Sequence, residues 1–279
     1  MRSWCMARLA AGCALVCLAV SPALAAPRLF GTTGSRTTVS TLVELDPATG
    51  ALLQTIGSVG YTVNGLTYDV STGKLWGSTS TNAGFLGLIE INMVTGAGTP
   101  VGSGWNIGDS QTIVCITSNA SGAIYGWREP SVDCLVSINK ALGTCSNVGD
   151  PGLGTGALGL SFSNNGTLYL YNYSGAYYTV STTTGAATPV GSLGGVAHHG
   201  DFNPTSNIYY GIDTTYDPPR RIRMLDLING VDLGSMATVD NLHTLTFAPD
   251  AVPEAGTLAA LSGFLTSGGL WLWRRRRTA

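Results

Sequence analysis

Charge is scarce in this 279-residue chain: charged residues are 11% of it, and lysine occurs only at Lys74 and Lys140. Between residues 26 and 252, eight basic side chains face fifteen acidic ones, a net of −7. Without a basic stripe, nucleic acid is excluded as a partner. No stretch before Gly256 sustains an apolar period of 3.6 residues, so helix is not expected there. Catalytic signatures are missing as well: the chain has no G-x-S-x-G, H-E-x-x-H, phosphate loop or dinucleotide fingerprint. Hence no cofactor is called for.

Long apolar runs occur only at the two ends. Met1 to Ala25 has a basic start (Arg2, Arg8), an apolar Leu9–Val20 and the A-x-A pattern Ala23-Leu24-Ala25. This is the layout of a signal peptide cleaved after Ala25. At the other end, Val252-Pro253-Glu254-Ala255 precedes the uncharged run Gly256–Trp273, and Arg274, Arg275, Arg276 and Arg277 follow. Eighteen residues of helix rise about 27 Å, close to a hydrocarbon core of about 30 Å. Trp271 and Trp273 suit the headgroup level, and the arginines should stop transfer and stay cytoplasmic. The expected organisation is a signal peptide (1–25), an ectodomain (26–251) and a tail (252–279) with a transmembrane helix at 256–273.

The tail resembles the PEP-CTERM sorting signal of Gram-negative bacteria in the order of its parts: Pro253-Glu254, a short apolar helix, a terminal basic cluster. Ala255 stands where that family usually has a second proline. The resemblance covers about a tenth of the chain. It implies an exosortase-type membrane protease as partner, cutting near Glu254. It also implies an inner-membrane precursor with a periplasmic ectodomain and a product at the surface or outside the cell. A plain C-terminal anchor is the alternative.

Between the ends the chain repeats. A strand ending in Asp/Asn-x-x-Thr-Gly or a relative recurs, with glycines at 50, 96, 143, 185 and 230, spaced 46, 47, 42 and 45 residues apart. An apolar-aromatic strand start recurs as Leu29-Phe30, Leu75-Trp76, Ile124-Tyr125, Leu168-Tyr169 and Ile208-Tyr209. A third landmark lies upstream: Gly65-Leu-Thr-Tyr68, Val114-Cys-Ile-Thr117, Gly159-Leu-Ser-Phe162, Gly200-Asp-Phe202 and Thr244-Leu-Thr-Phe247. A unit of about 45 residues with four short strands is the period of a β-propeller blade. Without a Trp-Asp signature, the array looks like the degenerate propellers of secreted bacterial proteins.

The last unit supplies one strand, near 242–247, and its missing three lie near 28–33, 40–45 and 51–56. The expected fold is therefore all-β, a five-bladed propeller closed by the N-terminal strands, which removes an exposed sheet edge. An open or sandwich arrangement is the alternative. Asp and Asn in the landmark turns should cap their own backbone two residues on.

Three of the six cysteines lie within the signal peptide. Cys134 and Cys145 flank one hairpin and are expected to face each other as a disulfide. Cys115 should be a buried free thiol. With the units aligned on the inner strand, Asn64, His198 and His243 share one position, completed by Ile113 and Leu158. Side chains there should converge on the central channel. They would either line a wet channel or, with Asp201 or Asp240, hold a divalent metal. The main expectation is an exported, non-catalytic surface or matrix protein binding exopolysaccharide or cell-surface proteins, with Trp105, Trp127 and Tyr173 as stacking candidates. The alternative is a propeller enzyme, a lactonase-like hydrolase or lyase with a metal in the channel.

Overall fold

The computed structural model describes residues 26–34, 38–80, 84–108, 111–129, 133–153, 156–215 and 220–249. The expected signal peptide with Ala23 and Ala25, and the expected sorting tail with Val252, Pro253, Glu254, Ala255 and Arg274–Arg277, lie outside these residues. Among the described residues all regular structure is strand, and no helix is long and apolar enough to cross a membrane.

Five four-stranded antiparallel meanders follow one another. The first blade holds β4 (Val63–Asp69), β5 (Lys74–Thr79), β6 (Leu88–Ile91) and β7 (Gly98–Val101). The second holds β8 (Thr112–Ser118), β9 (Ile124–Glu129), β10 (Cys134–Asn139) and β11 (Thr144–Gly149). The third holds β12 (Ala157–Phe162), β13 (Leu168–Asn172), β14 (Ala176–Val180) and β15 (Ala187–Ser192). The fourth holds β16 (His198–Phe202), β17 (Tyr209–Asp213), β18 (Arg221–Asp226) and β19 (Val231–Ala237). The fifth joins both ends of the chain, with β20 (Leu242–Ala248) beside β1 (Arg28–Thr33), β2 (Thr41–Leu45) and β3 (Leu52–Ser58). Arg28 pairs Ala248 and Gly31 pairs Leu245, so the expected closure is present in register. The inner strands β4, β8, β12, β16 and β20 contact one another in a ring around the axis.

The landmark turns form as their chemistry dictates. The Oδ1 atoms of Asp46, Asn92, Asn139 and Asp226 each accept the backbone N–H two residues on, and Ser181 Oγ does so in the third blade. The closing glycine has a second task beyond positive φ. At Gly96 (φ 81°) an added Cβ would lie 2.6 Å from the carbonyl oxygen of Gly57 in β3. Gly50, Gly143 and Gly185 meet the outer strand of a neighbouring blade in the same way. The repeat glycine is therefore a blade-to-blade contact as well as a turn residue.

The blades divide the apolar core into five clusters at their junctions. One holds Trp76, Leu88, Ile113, Ile116 and Ile138 between the first and second blades. Another holds Leu29, Leu45, Ile212, Ile222 and Leu245 between the fourth and fifth. A buried ion pair spans the first junction: Lys140 Nζ lies 2.6 Å from Asp69 Oδ2, whose side chain is 0% exposed. Burial alone would raise the Asp69 carboxyl. Hydrogen bonds from Lys140, Ser71 and Thr72 outweigh it and bring the pKa from the usual 3.8 to about 2.

Two predictions follow from this closure. Deleting Arg28–Ile56 should abolish cooperative melting of the whole ectodomain, since it removes three strands of one blade; an unchanged melt would show that the ring does not need them. The depressed Asp69 pKa stabilises the fold above about pH 4, by about 2 kcal/mol at 1.4 kcal/mol per unit, and this is lost as pH falls toward 2. Lys140→Met removes one of the hydrogen bonds behind this shift and leaves those of Ser71 and Thr72, so it should cost part of that amount at pH 7, and the gap to wild type in denaturant titrations should narrow toward pH 2.

Candidate functional site

Each inner strand carries Ser, Thr or Asp at the second or third position from its end, followed by Tyr, Ser or Phe. These side chains close a ring. Thr67 Oγ1 accepts the Ser118 N–H at 2.9 Å, and Thr117 Oγ1 accepts that of Phe162 at 3.4 Å. Ser161 Oγ accepts the Phe202 N–H at 3.3 Å, and Asp201 Oδ2 that of Phe247 at 2.9 Å. Thr246 Oγ1 accepts the Tyr68 N–H at 3.2 Å and returns to the first blade. Every blade thus satisfies one inward backbone donor of the next, a donor with no strand partner on that side.

Asp201 is the one carboxylate in this belt. Ser161 Oγ donates to Oδ1 at 2.6 Å and Thr246 Oγ1 to Oδ2 at 2.7 Å, beside the N–H groups of Phe202 and Phe247. Two oxygens with four donors are saturated. Burial pushes the Asp201 pKa up, against the lowering effect of those donors. The group is a clasp across three blades, each of its two oxygens accepting two hydrogen bonds.

Above the belt, a depression of about 330 Å³ opens at the turn end of the axis. Its walls include the residues that follow the belt, Tyr68, Ser118, Phe162, Phe202 and Phe247, and Asp201 of the belt also lines it. Four of the five are aromatic, and Ser118 leaves a notch. Its volume sits at the lower end of small-ligand sites. The third landmark of the sequence holds both rings, so the hydroxyl-before-aromatic pattern was the available signal for this site.

The opposite mouth holds the sequence-predicted channel residues, with a correction. Each inner strand bulges near its start, and the bulged positions are Asn64 in β4 and Val114, not Ile113, in β8. In β16 the bulge takes in two residues, His199 and Gly200, between His198 and Asp201. The extra residue shifts the alignment by one. His199, with φ 42°, therefore stacks on His243 at 5.1 Å between ring centroids. His198 lies edge-on to Tyr173 at 5.0 Å. His243 Nδ1 lies 3.1 Å from the Val63 carbonyl oxygen, and Asn64 Nδ2 donates to Thr112 Oγ1 at 3.3 Å. Among the described residues no group of three His, Cys, Asp or Glu side chains could hold a metal ion. Asp201, offered as a ligand by the sequence, belongs to the belt.

Cys134 and Cys145 do not face each other. Cys145 pairs Ile138 across β10 and β11, while Cys134 pairs Arg128 of β9. Four residues of strand, about 13 Å, separate the two positions, too far for a disulfide. Both are buried and free. Cys115 is a buried free thiol as expected, and burial raises its pKa far out of nucleophilic range. Trp105 and Trp127 are core residues, at 8% and 0% exposure; Tyr173 alone of the stacking candidates is exposed, at 50%.

No family model matches this chain, and no curated protein does. Among solved structures it is similar to one chain of a nidogen/laminin complex, with TM-score 0.51 and 12% identity over 80% of this chain and 98% of that one. It is similar also to TolB from Acinetobacter baumannii, with TM-score 0.51 and 10% identity over 80% of this chain. It spans 55% of that TolB chain. At these identities the likeness establishes the propeller fold.

Asp201→Ala leaves Ser161 Oγ, Thr246 Oγ1 and the Phe247 N–H without their acceptor, the Phe202 N–H keeping Ser161, and should lower stability by about 2–4 kcal/mol. Asp201→Thr restores the residue type of Thr67, Thr117 and Thr246 and should recover most of the loss in urea denaturation. The raised Asp201 pKa means the folded chain holds this proton more tightly. Its contribution is therefore greatest at low pH and declines as pH rises through the folded value, a dependence Asp201→Thr should remove.

Proposed function

We propose that this chain is an exported, non-catalytic propeller that works by binding, delivered by its C-terminal sorting signal. The observation that carries the non-catalytic half is the saturation of Asp201, the belt's only carboxylate, by donors from three blades. An axial hydrolase or lyase needs a group free to take a proton or hold a metal. His199 and His243 offer two nitrogen-bearing rings at the other mouth, without a carboxylate to complete a ligand set among the described residues. The low charge of the ectodomain and the exposed Tyr173 favour a neutral polymer such as exopolysaccharide, or a cell-surface protein, over an ionic partner.

The delivery half rests on the order Pro253-Glu254, Gly256–Trp273, Arg274–Arg277. Gly256, Gly263, Gly268 and Gly269 each weaken that helix by about 1 kcal/mol relative to alanine. Such a segment holds the chain during export and makes a poor permanent anchor. A proline disfavours helix in the residue before it, so the sequence Val252-Pro253 suits the extended substrate a protease requires.

In a host with an exosortase-type enzyme, the mature protein should lack peptides from Trp271 to Arg277 and be retained on immobilised exopolysaccharide from that host. In a host without the enzyme, the full chain should stay in the membrane fraction. Recovery of intact tail peptides on the mature native protein would reduce the signal to an anchor. Lactone hydrolysis that rises with added divalent metal would replace the binding reading with the enzymatic one.

A further inference from the structure

The two ends of the propeller axis are chemically different. One carries the hairpin turns within each blade, four to six residues long, such as 46–51, 70–73, 92–97 and 140–143. The other carries connections of three to ten residues, such as 34–40, 80–87 and 102–111. Both ends of the ectodomain leave from the turn face. β20 ends there at Ala248, Pro249 lines the axial depression, and Arg28 pairs Ala248 to start β1 at the same level.

Only six residues, Asp250 to Ala255, separate Pro249 from Gly256. Fully extended they span about 20 Å. If Gly256–Trp273 crosses the membrane, the point where the chain leaves the axis lies within that distance of the hydrocarbon. That is less than the width of a propeller, so the molecule has little freedom to turn over.

The side chains of the turn face agree with this. The large apolar side chains exposed on turns are Val70 and Val94 of the first blade, Leu142 of the second and Ile228 of the fourth. Val94 is 83% exposed and Leu142 60%. At the other face, among the described residues, only Val39 and Tyr173 are comparable. Single exposed apolar residues are ordinary; Leu52, Leu53, Val190, Val231 and Leu233 lie on the outer strands β3, β15 and β19 and favour neither end, so it is the excess of the turn face over the opposite face that discriminates. The charges at this end are internally matched: Arg28 with Glu44, Lys74 with Glu90, and Lys140 with Asp69. Asp46 and Asp226 are engaged in capping their own turns. The three ion pairs neutralise themselves, and the two capping carboxylates, Asp46 and Asp226, stay ionised and must remain in the hydrated headgroup layer as the apolar tips approach it.

We propose that the turn face is the membrane-apposed surface of the tail-bearing precursor, with Val94, Leu142 and Ile228 resting at the bilayer interface, and that the face carrying His199, His243 and Tyr173 points away from it. The inference rests on the membrane-spanning reading of the tail. It places the aromatic axial depression toward the bilayer while the tail is attached, and exposes it once the tail is removed. The outward face is open in both forms.

The tail-bearing chain from Ala26 to Ala279, which lacks Cys5, Cys13 and Cys17, reconstituted in phosphatidylethanolamine–phosphatidylglycerol vesicles, tests this directly. Val94→Cys and Leu142→Cys mark the turn face and Val39→Cys the other. Each is labelled with a fluorophore under native conditions, in which the buried Cys115, Cys134 and Cys145 stay unreacted. A quencher attached to lipid headgroups should quench the turn-face probes at least threefold more than the probe at 39. Equal quenching at both faces, or stronger quenching at 39, overturns the orientation while leaving the anchor intact. A tail-bearing chain that does not partition into the vesicles overturns the tail reading itself, and the orientation with it. Val94→Asp together with Leu142→Asp, substitutions at exposed turn positions that should not disturb folding, should at least halve the difference in quenching between the two faces. An undiminished difference would show that the tether orients the propeller without interfacial contact.

Discussion

The propeller depends on a belt of five hydrogen bonds that passes once around its axis. An inner strand has a hydrogen-bonded neighbour on one side only, so on the axial side its backbone donors need another partner. Thr67, Thr117, Ser161, Asp201 and Thr246 supply one each, always to the residue that follows the belt position in the next blade. The cost of an unsatisfied buried donor makes this arrangement cooperative: no blade is complete without its neighbour. At the perimeter, the turn glycines press against the neighbouring outer strand and define the same spacing from outside. Belt and perimeter contacts together leave the five apolar clusters to fill the wedges between blades.

The belt also decides what the axis can do. Four hydroxyl-bearing blades could be exchanged without chemical consequence, but Asp201 introduces a carboxylate where the others have an alcohol. Its position between Ser161 and Thr246 turns it into an acceptor for both, and burial raises its pKa. A carboxylate on a propeller axis suggests catalysis when read from sequence. In its actual surroundings it is a structural clasp, with the aromatic walls of the axial depression above it and the histidines below it.

Closure by β1, β2 and β3 has a further consequence for how the molecule is presented. Pairing Arg28 with Ala248 brings the two ends of the ectodomain together at one face. That face carries the tight, capped turns and the apolar tips. The longer connections, which vary most in length and residue type, gather at the opposite face, as is usual for surfaces that meet partners.

Much of this was legible in the sequence for a local reason. Turn caps such as Asp46 and Asn92, the glycines that follow them and the alternation within short strands act over two to five residues, so their spacing alone determined the blade count, the strand order and the circular closure. The same spacing pointed to Cys115 as a buried thiol. Only the tertiary structure decided which side chains meet. The belt joins residues some 40 to 50 positions apart, or 178 across the closure, and its members look locally like ordinary strand residues. The bulge in β16 takes in one more residue than the others and carries no marker in the sequence, so it was His199, not His198, that reached His243. Cys134 and Cys145 flank a hairpin in sequence, yet the pairing of Cys145 with Ile138 sets them apart, because register is decided by packing against the neighbouring blades and not by the turn that joins the two strands.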